Sequence, residues 1–217
     1  MLEWILDCER ETFLWLNSWH TPFRDSFMWI YSGKAAWVTP LTVIAIVIAR
    51  RKNWKESLAI FLFIALVITL CDQFASGICK PCFMRLRPTG HPDFMEHVHT
   101  VNGYRGGRYG FISSHAANAF GFAVFTLLLF RDRWYTVVIL LWATLMAYTR
   151  IYLGVHFISD IVPAIFSGSL FGYTGYRLYL FARRKIGRQT STPPSFSHDQ
   201  IRLIIAAIAL TVAGILL

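Results

Sequence analysis

The chain reads as an all-α integral-membrane protein, about six transmembrane helices preceded by an amphipathic interfacial helix. Three observations predict this. Apolar runs recur at about 27–49, 58–78, 113–130, 134–153, 156–181 and 201–217, each close to the roughly 20 residues a helix needs to cross a bilayer. Charged residues are 15% of the chain against 55% hydrophobic, thin cover for a soluble surface but ample for a polytopic membrane protein. Lys and Arg fall in short clusters between the apolar runs, which is the pattern that sets membrane topology and meets anionic lipid.

Taken in order, residues 1–20 open with acidic side chains and lack both a continuous apolar core and a small-residue cleavage site, so no cleavable signal is expected. Glu3, Asp7, Arg10 and Asn17 recur at helical spacing among Trp4, Ile5, Phe13, Trp15, Leu16 and Trp19, the composition of a helix lying in the membrane interface. The spans follow, with 79–112 as a long loop on one side and 182–200, containing Pro193-Pro194, as a linker on the other. A single membrane domain, 1–217, accounts for the whole.

Orientation follows from the cations. Arg50, Arg51, Lys52 and Lys55 lie in one short loop, Arg131 and Arg133 in a second, and Arg183, Arg184, Lys185 and Arg188 in a third. With six spans all three share one side, cytoplasmic by the positive-inside rule, so that loop 79–112 and the bend at Gly154 face outward. The net charge of +9 is spent on these clusters, and no nucleic-acid partner is expected. The expected partners are the bilayer and a membrane lipid, and no protein partner can be inferred. Lys34 and Asp72 lie at matching depths if each span rises about 1.5 Å per residue, which predicts an ion pair between them. Pro40 and Pro163 are tolerable in such spans, and Gly168, Gly172 and Gly175 suit close helix contact.

Chemistry concentrates in three segments. Arg150, His156 and Asp160 stand together in 149–160; if a helix starts near His156, the four-residue step puts the imidazole and carboxylate on one face, with the carboxylate accepting from Nδ1 and Nε2 free to act. Lys80 and Arg87 bracket a second segment. Ser113, Ser114 and His115 open the third apolar run, where a helix N-terminus offers unpaired N–H groups to a phosphate. N-capping is the alternative reading of both serines. No acidic metal cage and no phosphate-binding glycine loop accompanies these groups, so neither a metal nor another cofactor is expected, and an anion must be met by cationic side chains and backbone. The cysteines are Cys8, Cys71, Cys79 and Cys82, and the Cys79-x-x-Cys82 spacing lacks the βαβ surroundings of a redox motif.

The series Lys80-x₆-Arg87-Pro88, Ser113-x-His115 and Arg150-x₅-His156-x₃-Asp160 resembles, in order and spacing, the three-part signature of the type 2 phosphatidic acid phosphatase family. The middle motif, usually Pro-Ser-Gly-His, here reads Ile112-Ser113-Ser114-His115, and Thr149 stands where Ser is usual. The resemblance implies a metal-independent lipid phosphate phosphatase. His156 would attack phosphorus and form a phosphohistidine, Asp160 would orient it, and His115 would protonate the leaving oxygen and then activate water. Lys80, Arg87, Ser113, Arg150 and the backbone N–H of Ser114 would hold the phosphoryl oxygens.

An outward site in a bacterial inner membrane fits polyprenyl diphosphate or a lipid A-like glycolipid, with phosphatidylglycerol phosphate and phosphatidic acid as alternatives. A transporter or a non-catalytic lipid binder is the competing class. A transport site near the midplane needs no His–Asp couple beside a second His.

Overall fold

The computed structural model describes residues 2–50, 53–92, 94–186 and 195–217. Its elements are α1 (Leu2–Asn17), α2 (Pro22–Ser32), α3 (Val38–Ala49), α4 (Trp54–Asp72), α5 (Lys80–Phe83), α6 (Ser114–Phe130), α7 (Arg133–Tyr152), α8 (Ile158–Ile186) and α9 (His198–Leu216), with no strand among the described residues. Each expected apolar run falls on one of these helices or on a pair. Three stretches are long and apolar enough to cross a membrane, Trp54–Phe83, Arg133–Tyr152 and His198–Leu216, with a fourth if the bent pair Pro22–Ser32 and Ala35–Ala49 counts as one span. α6 is apolar but, at 17 residues, shorter than those stretches, and α8 carries small and polar residues along its length where it packs against other helices.

The glycine series sets that contact. A Cβ on Gly168 would collide with the backbone of Ala117, one on Gly172 would lie 2.5 Å from the Gly121 carbonyl oxygen, and one on Gly175 would strike Val67. α8 therefore touches α6 backbone to backbone and reaches α4 through the same face. At the end remote from the site, Glu56 on α4 is ion-paired with Arg183 and accepts from Tyr179 Oη, both on α8.

Three expectations need correction. The first apolar run is broken: α2 and the helical stretch from Ala35 meet at 66°. Lys34 therefore sits exposed in the break and not part-way down a straight helix. Counting depth by rise fails across such a bend, and no ion pair joins Lys34 to Asp72 among the described residues. The linker expected over 182–200 is shorter, because α8 continues to Ile186 and α9 starts at His198 behind a Ser197–Gln200 capping box. Residues 187–194, with Arg188 and Pro193-Pro194, lie outside the described residues, as do Arg51 and Lys52. Loop 79–112 also begins as helix, with Lys80–Phe83 forming α5.

α1 is docked. Phe13 is wholly buried against Phe94 and Phe157, and buried Asn17 donates through Nδ2 to the carbonyls of His99, Ile151 and Tyr152 while its Oδ1 accepts from the His99 N–H. The helix is fastened over the end of the bundle where α4 and α7 finish and α6 and α8 begin.

Candidate active site

That end of the bundle holds every chemistry-bearing residue singled out above. α7 closes at Leu153–Gly154, and Gly154 takes a φ of +75°, where a side chain would also press on Val98 and the His99 carbonyl. The turn lets one acceptor, the Arg150 carbonyl, take the N–H groups of both Val155 and His156, at 3.0 and 3.2 Å. His156 is thereby held one turn away from Arg150.

α8 starts at Ile158, two residues later than expected, so His156 lies just before the helix and not on its face. The reason is Asp160. Its Oδ2 folds back over the helix start and accepts from the Phe157 N–H at 3.0 Å, in the manner of an N-terminal cap, while also facing His156 Nδ1 at 3.3 Å. Gly110 makes room, since a Cβ there would lie 2.9 Å from that carboxylate oxygen. The other oxygen, Oδ1, accepts from Arg85 Nη1 at 2.9 Å.

The second nitrogen of His156 faces Arg87, Nη1 to Nε2, at 3.2 Å. A guanidinium carries donors only. Nε2 is then the lone-pair nitrogen, and the proton sits on Nδ1 toward Asp160. His156 is 1% exposed. Burial, and then the positive charges of Arg87, Arg150 and Lys80, hold its basicity well below that of a free imidazole, so the ring is neutral. Arg87 is further fixed by the carbonyls of Tyr109 and Val155, both at 3.1 Å.

Two further cations, Arg150 and Lys80, act on this ring through their charge. Arg150, buried in α7, donates to Ser32 Oγ at 2.7 Å and to Tyr104 Oη at 3.3 Å, and its buried Nε has no partner. Lys80 follows the π-wound stretch Gln73–Cys79, a wider winding that often marks functional positions. Its ammonium donates to Ser76 Oγ at 2.9 Å and to Ser114 Oγ at 3.3 Å. Ser114, where the resembled family has Gly, thus turns its side chain to Lys80. Ser113 caps α6 by accepting from the Ala116 N–H, and its own N–H donates to the Asp160 carbonyl. The opening of α6 is thereby tied to the opening of α8, with the first unpaired N–H groups of α6 beside Lys80.

His115, on the first turn of α6, lies within electrostatic reach of His156, Arg150, Arg87 and Lys34. The charge of Lys34 reaches His115, and that of Asp72 acts on Lys80. Sequence reasoning missed Ser32, Glu9 and the part played by Arg85. None belongs to a spaced motif, and only the packing of α1 and α2 brings them in. Cys79 and Cys82 are free thiols. No group of three or more His, Cys, Asp or Glu side chains gathers to hold a metal among the described residues.

A neutral imidazole facing a carboxylate, a second imidazole within electrostatic reach, and the positive charges of Arg87, Arg150 and Lys80 acting on the first ring define a phosphate-handling enzyme of the membrane. The PAP2 superfamily model matches residues 58–184. The lipid A 4'-phosphatase of Porphyromonas gingivalis is 43% identical over 205 residues, covering 93% of this chain and 87% of that protein. The lipid A 4'-phosphatase of Bacteroides thetaiotaomicron is 37% identical over 222 residues, covering 100% and 97%. Among solved structures, the Bacillus subtilis PAP2-type phosphatidylglycerolphosphate phosphatase has a TM-score of 0.59 at 20% identity, covering 86% of this chain and 89% of its own. Aquifex aeolicus LpxE has a TM-score of 0.53 at 27% identity, covering 77% and 93%. The chain belongs to the PAP2 superfamily, and it is a multi-pass membrane lipid phosphate phosphatase.

Proposed function

We propose that this protein removes a phosphate from a lipid A-type glycolipid through a phosphohistidine on His156. The observation that carries the chemistry is the two-sided placement of that ring, Nδ1 to Asp160 and Nε2 to Arg87. Phosphate entering the ring of cations takes Arg87 from Nε2, and the freed lone pair attacks phosphorus in line. The ester P–O bond breaks as the N–P bond forms. His115 gives its proton to the departing oxygen, and the phosphate charge among the cations favours the proton-bearing form of His115 beforehand.

In the second half, water attacks the phosphohistidine. His115 takes the water proton, the N–P bond breaks, and inorganic phosphate leaves. Asp160 stabilises the positive charge on the His156 ring in the first half and keeps the same tautomer for the second. Lys80, Arg87, Arg150, the Ser113 hydroxyl and the Ser114 N–H hold the non-bridging oxygens, supplying fixed positive charge where the transition state spreads negative charge. These side chains and backbone groups suffice without a metal.

The glycolipid is favoured because the two relatives that span nearly their whole length with this chain carry that activity in their names. The basic loops at the end opposite the site favour an inner-membrane protein with the site facing the periplasm. All of this lies in one membrane domain.

The test is phosphate release by detergent-purified protein from phosphorylated lipid A, polyprenyl diphosphate, phosphatidylglycerol phosphate and phosphatidic acid, in EDTA, with His156→Ala as the blank. Preference for lipid A is expected. Preference for a soluble phosphate ester over all four lipids, or a strict magnesium requirement, contradicts the reading.

A further inference from the structure

The carboxylate behind the nucleophile has its own support, and that support comes from the first helix of the chain. Arg85 lies in the loop after α5, and its guanidinium spans two partners. Nη1 donates to Asp160 Oδ1 at 2.9 Å and to Ser159 Oγ, and Nη2 donates to Glu9 Oε2 at 2.8 Å. Glu9, on α1, uses its other oxygen to accept the Ser159 N–H at 2.7 Å, at the start of α8. The planar guanidinium also lies over the Phe157 ring, 4.6 Å from its centroid. Each atom in the series is accounted for: Glu9 holds Arg85 and α8, Arg85 holds one oxygen of Asp160, and the other oxygen faces His156.

We propose that Arg85 is a positioning residue for phosphoryl transfer and that Glu9 fixes it in place, so that docking of α1 sets the orientation of the His156–Asp160 pair. The inference rests on His156 being the nucleophile. Asp160 is fully buried, and a buried carboxylate stays ionised only where charge and hydrogen bonds compensate its lost hydration. The groups that face it are Arg85 by direct contact, the Phe157 N–H, the His156 ring, and at longer range Arg87 and Lys80. Arg85 is the contact that can be removed without touching a phosphate-holding side chain. A guanidinium engaged by two carboxylates and a hydroxyl has little capacity left for a phosphoryl oxygen, which separates its task from that of Arg87 and Arg150. Lysine cannot reproduce the bridge, because its single ammonium lacks the planar fork.

The experiment compares kcat, KM and the pH profile of kcat for the wild type and for Arg85→Gln, Arg85→Lys and Glu9→Gln, on phosphorylated lipid A, with Arg133→Ala and His156→Ala as references. Arg85→Gln should lower kcat roughly tenfold to a hundredfold, the usual cost of losing a group that orients a reacting one, with KM within about twofold. The acid limb of its kcat profile should move to higher pH, because Asp160 then accepts a proton more readily. Arg85→Lys should recover part of kcat and Glu9→Gln should lose less than Arg85→Gln, while Arg133→Ala stays at the wild-type level. If Arg85→Gln yields no folded protein, Glu9→Gln carries the test, with a lower kcat at unchanged KM and unchanged thermal unfolding. A raised KM at unchanged kcat would make Arg85 a substrate ligand and overturn the proposal. Unchanged kcat and pH profile in both variants would overturn it too. Turnover by His156→Ala would instead remove the assignment on which it rests.

Discussion

His156 Nε2 and Arg87 Nη1 face each other at 3.2 Å, so the nitrogen assigned the attack is covered, in the free enzyme, by a cation assigned to the phosphate. Attack requires Arg87 to exchange the imidazole for a phosphoryl oxygen. Substrate binding and unmasking of the nucleophile are then a single event, and stray electrophiles meet an occupied lone pair.

The first prediction concerns protonation. Burial and three neighbouring cations depress the basicity of His156, so the ring should remain neutral as pH falls through about 6.5, where a free imidazole charges. Nitrogen-15 NMR of histidine-labelled protein, with His156→Ala to assign the resonance, should show Nδ1 protonated and Nε2 bare at pH 6. A cationic ring there would contradict the geometry. The sign for stability is the reverse of a salt-bridged histidine: the unfolded chain binds this proton and the folded chain does not, so this group lowers stability as pH drops below about 6.5.

The candidate site is legible in the sequence as far as its residues come in short spaced groups. Lys80 and Arg87, Ser113 to His115, and Arg150 to Asp160 each lie within one local segment, and local segments keep their geometry. The six apolar runs were legible for the same reason, since each is one stretch of chain. What escaped depends on distant packing. Glu9 meets Arg85 across 76 positions, and nothing in the pattern of α1 marks that carboxylate above its neighbours. The expected Lys34–Asp72 pair failed because a bend of 66° leaves no spacing signal beyond the Gly33-Lys34 pair itself.

The second prediction concerns the cations. Lys80→Ala, Arg87→Ala and Arg150→Ala should each lose about 3 kcal/mol of transition-state stabilisation, roughly a hundredfold in kcat/KM, as removal of one preorganised charge-stabilising donor does. Arg150→Lys should rescue little, because Arg150 reaches Ser32 and Tyr104 through separate guanidinium nitrogens. Steady-state kinetics on one lipid preparation decide it; equal rates for Arg150→Ala and the wild type would remove Arg150 from the site.

A third prediction separates the two histidines from the carboxylate. His115→Ala should slow both formation and breakdown of the phosphoenzyme, since one imidazole serves both proton transfers. Asp160→Asn should be milder than His156→Ala, because an amide still makes a hydrogen bond while losing the charge that stabilises the imidazolium. Rapid-quench measurement of each half-reaction reads this directly, and a His115 variant impaired in only one half would split the assigned roles.

The fourth prediction is structural. Gly168→Val places a branched side chain against the Ala117 backbone, and overpacking of this kind costs about 1–3 kcal/mol or more where backbone must move. Thermal unfolding in detergent should fall by several degrees, with activity falling alongside, since α6 and α8 carry His115 and Asp160. Substitution at Gly214, where a Cβ meets nothing within 4 Å, should leave both unchanged.

The central claim is a covalent phosphohistidine at position 156, and trapping it is the most direct measurement. Purified protein quenched in the millisecond range after mixing with lipid A labelled in its phosphate should carry label that survives alkali, is lost in acid, and maps to the peptide containing His156. The His156→Ala protein should carry none. Label on a different residue, or full turnover by the His156→Ala protein, would contradict the account.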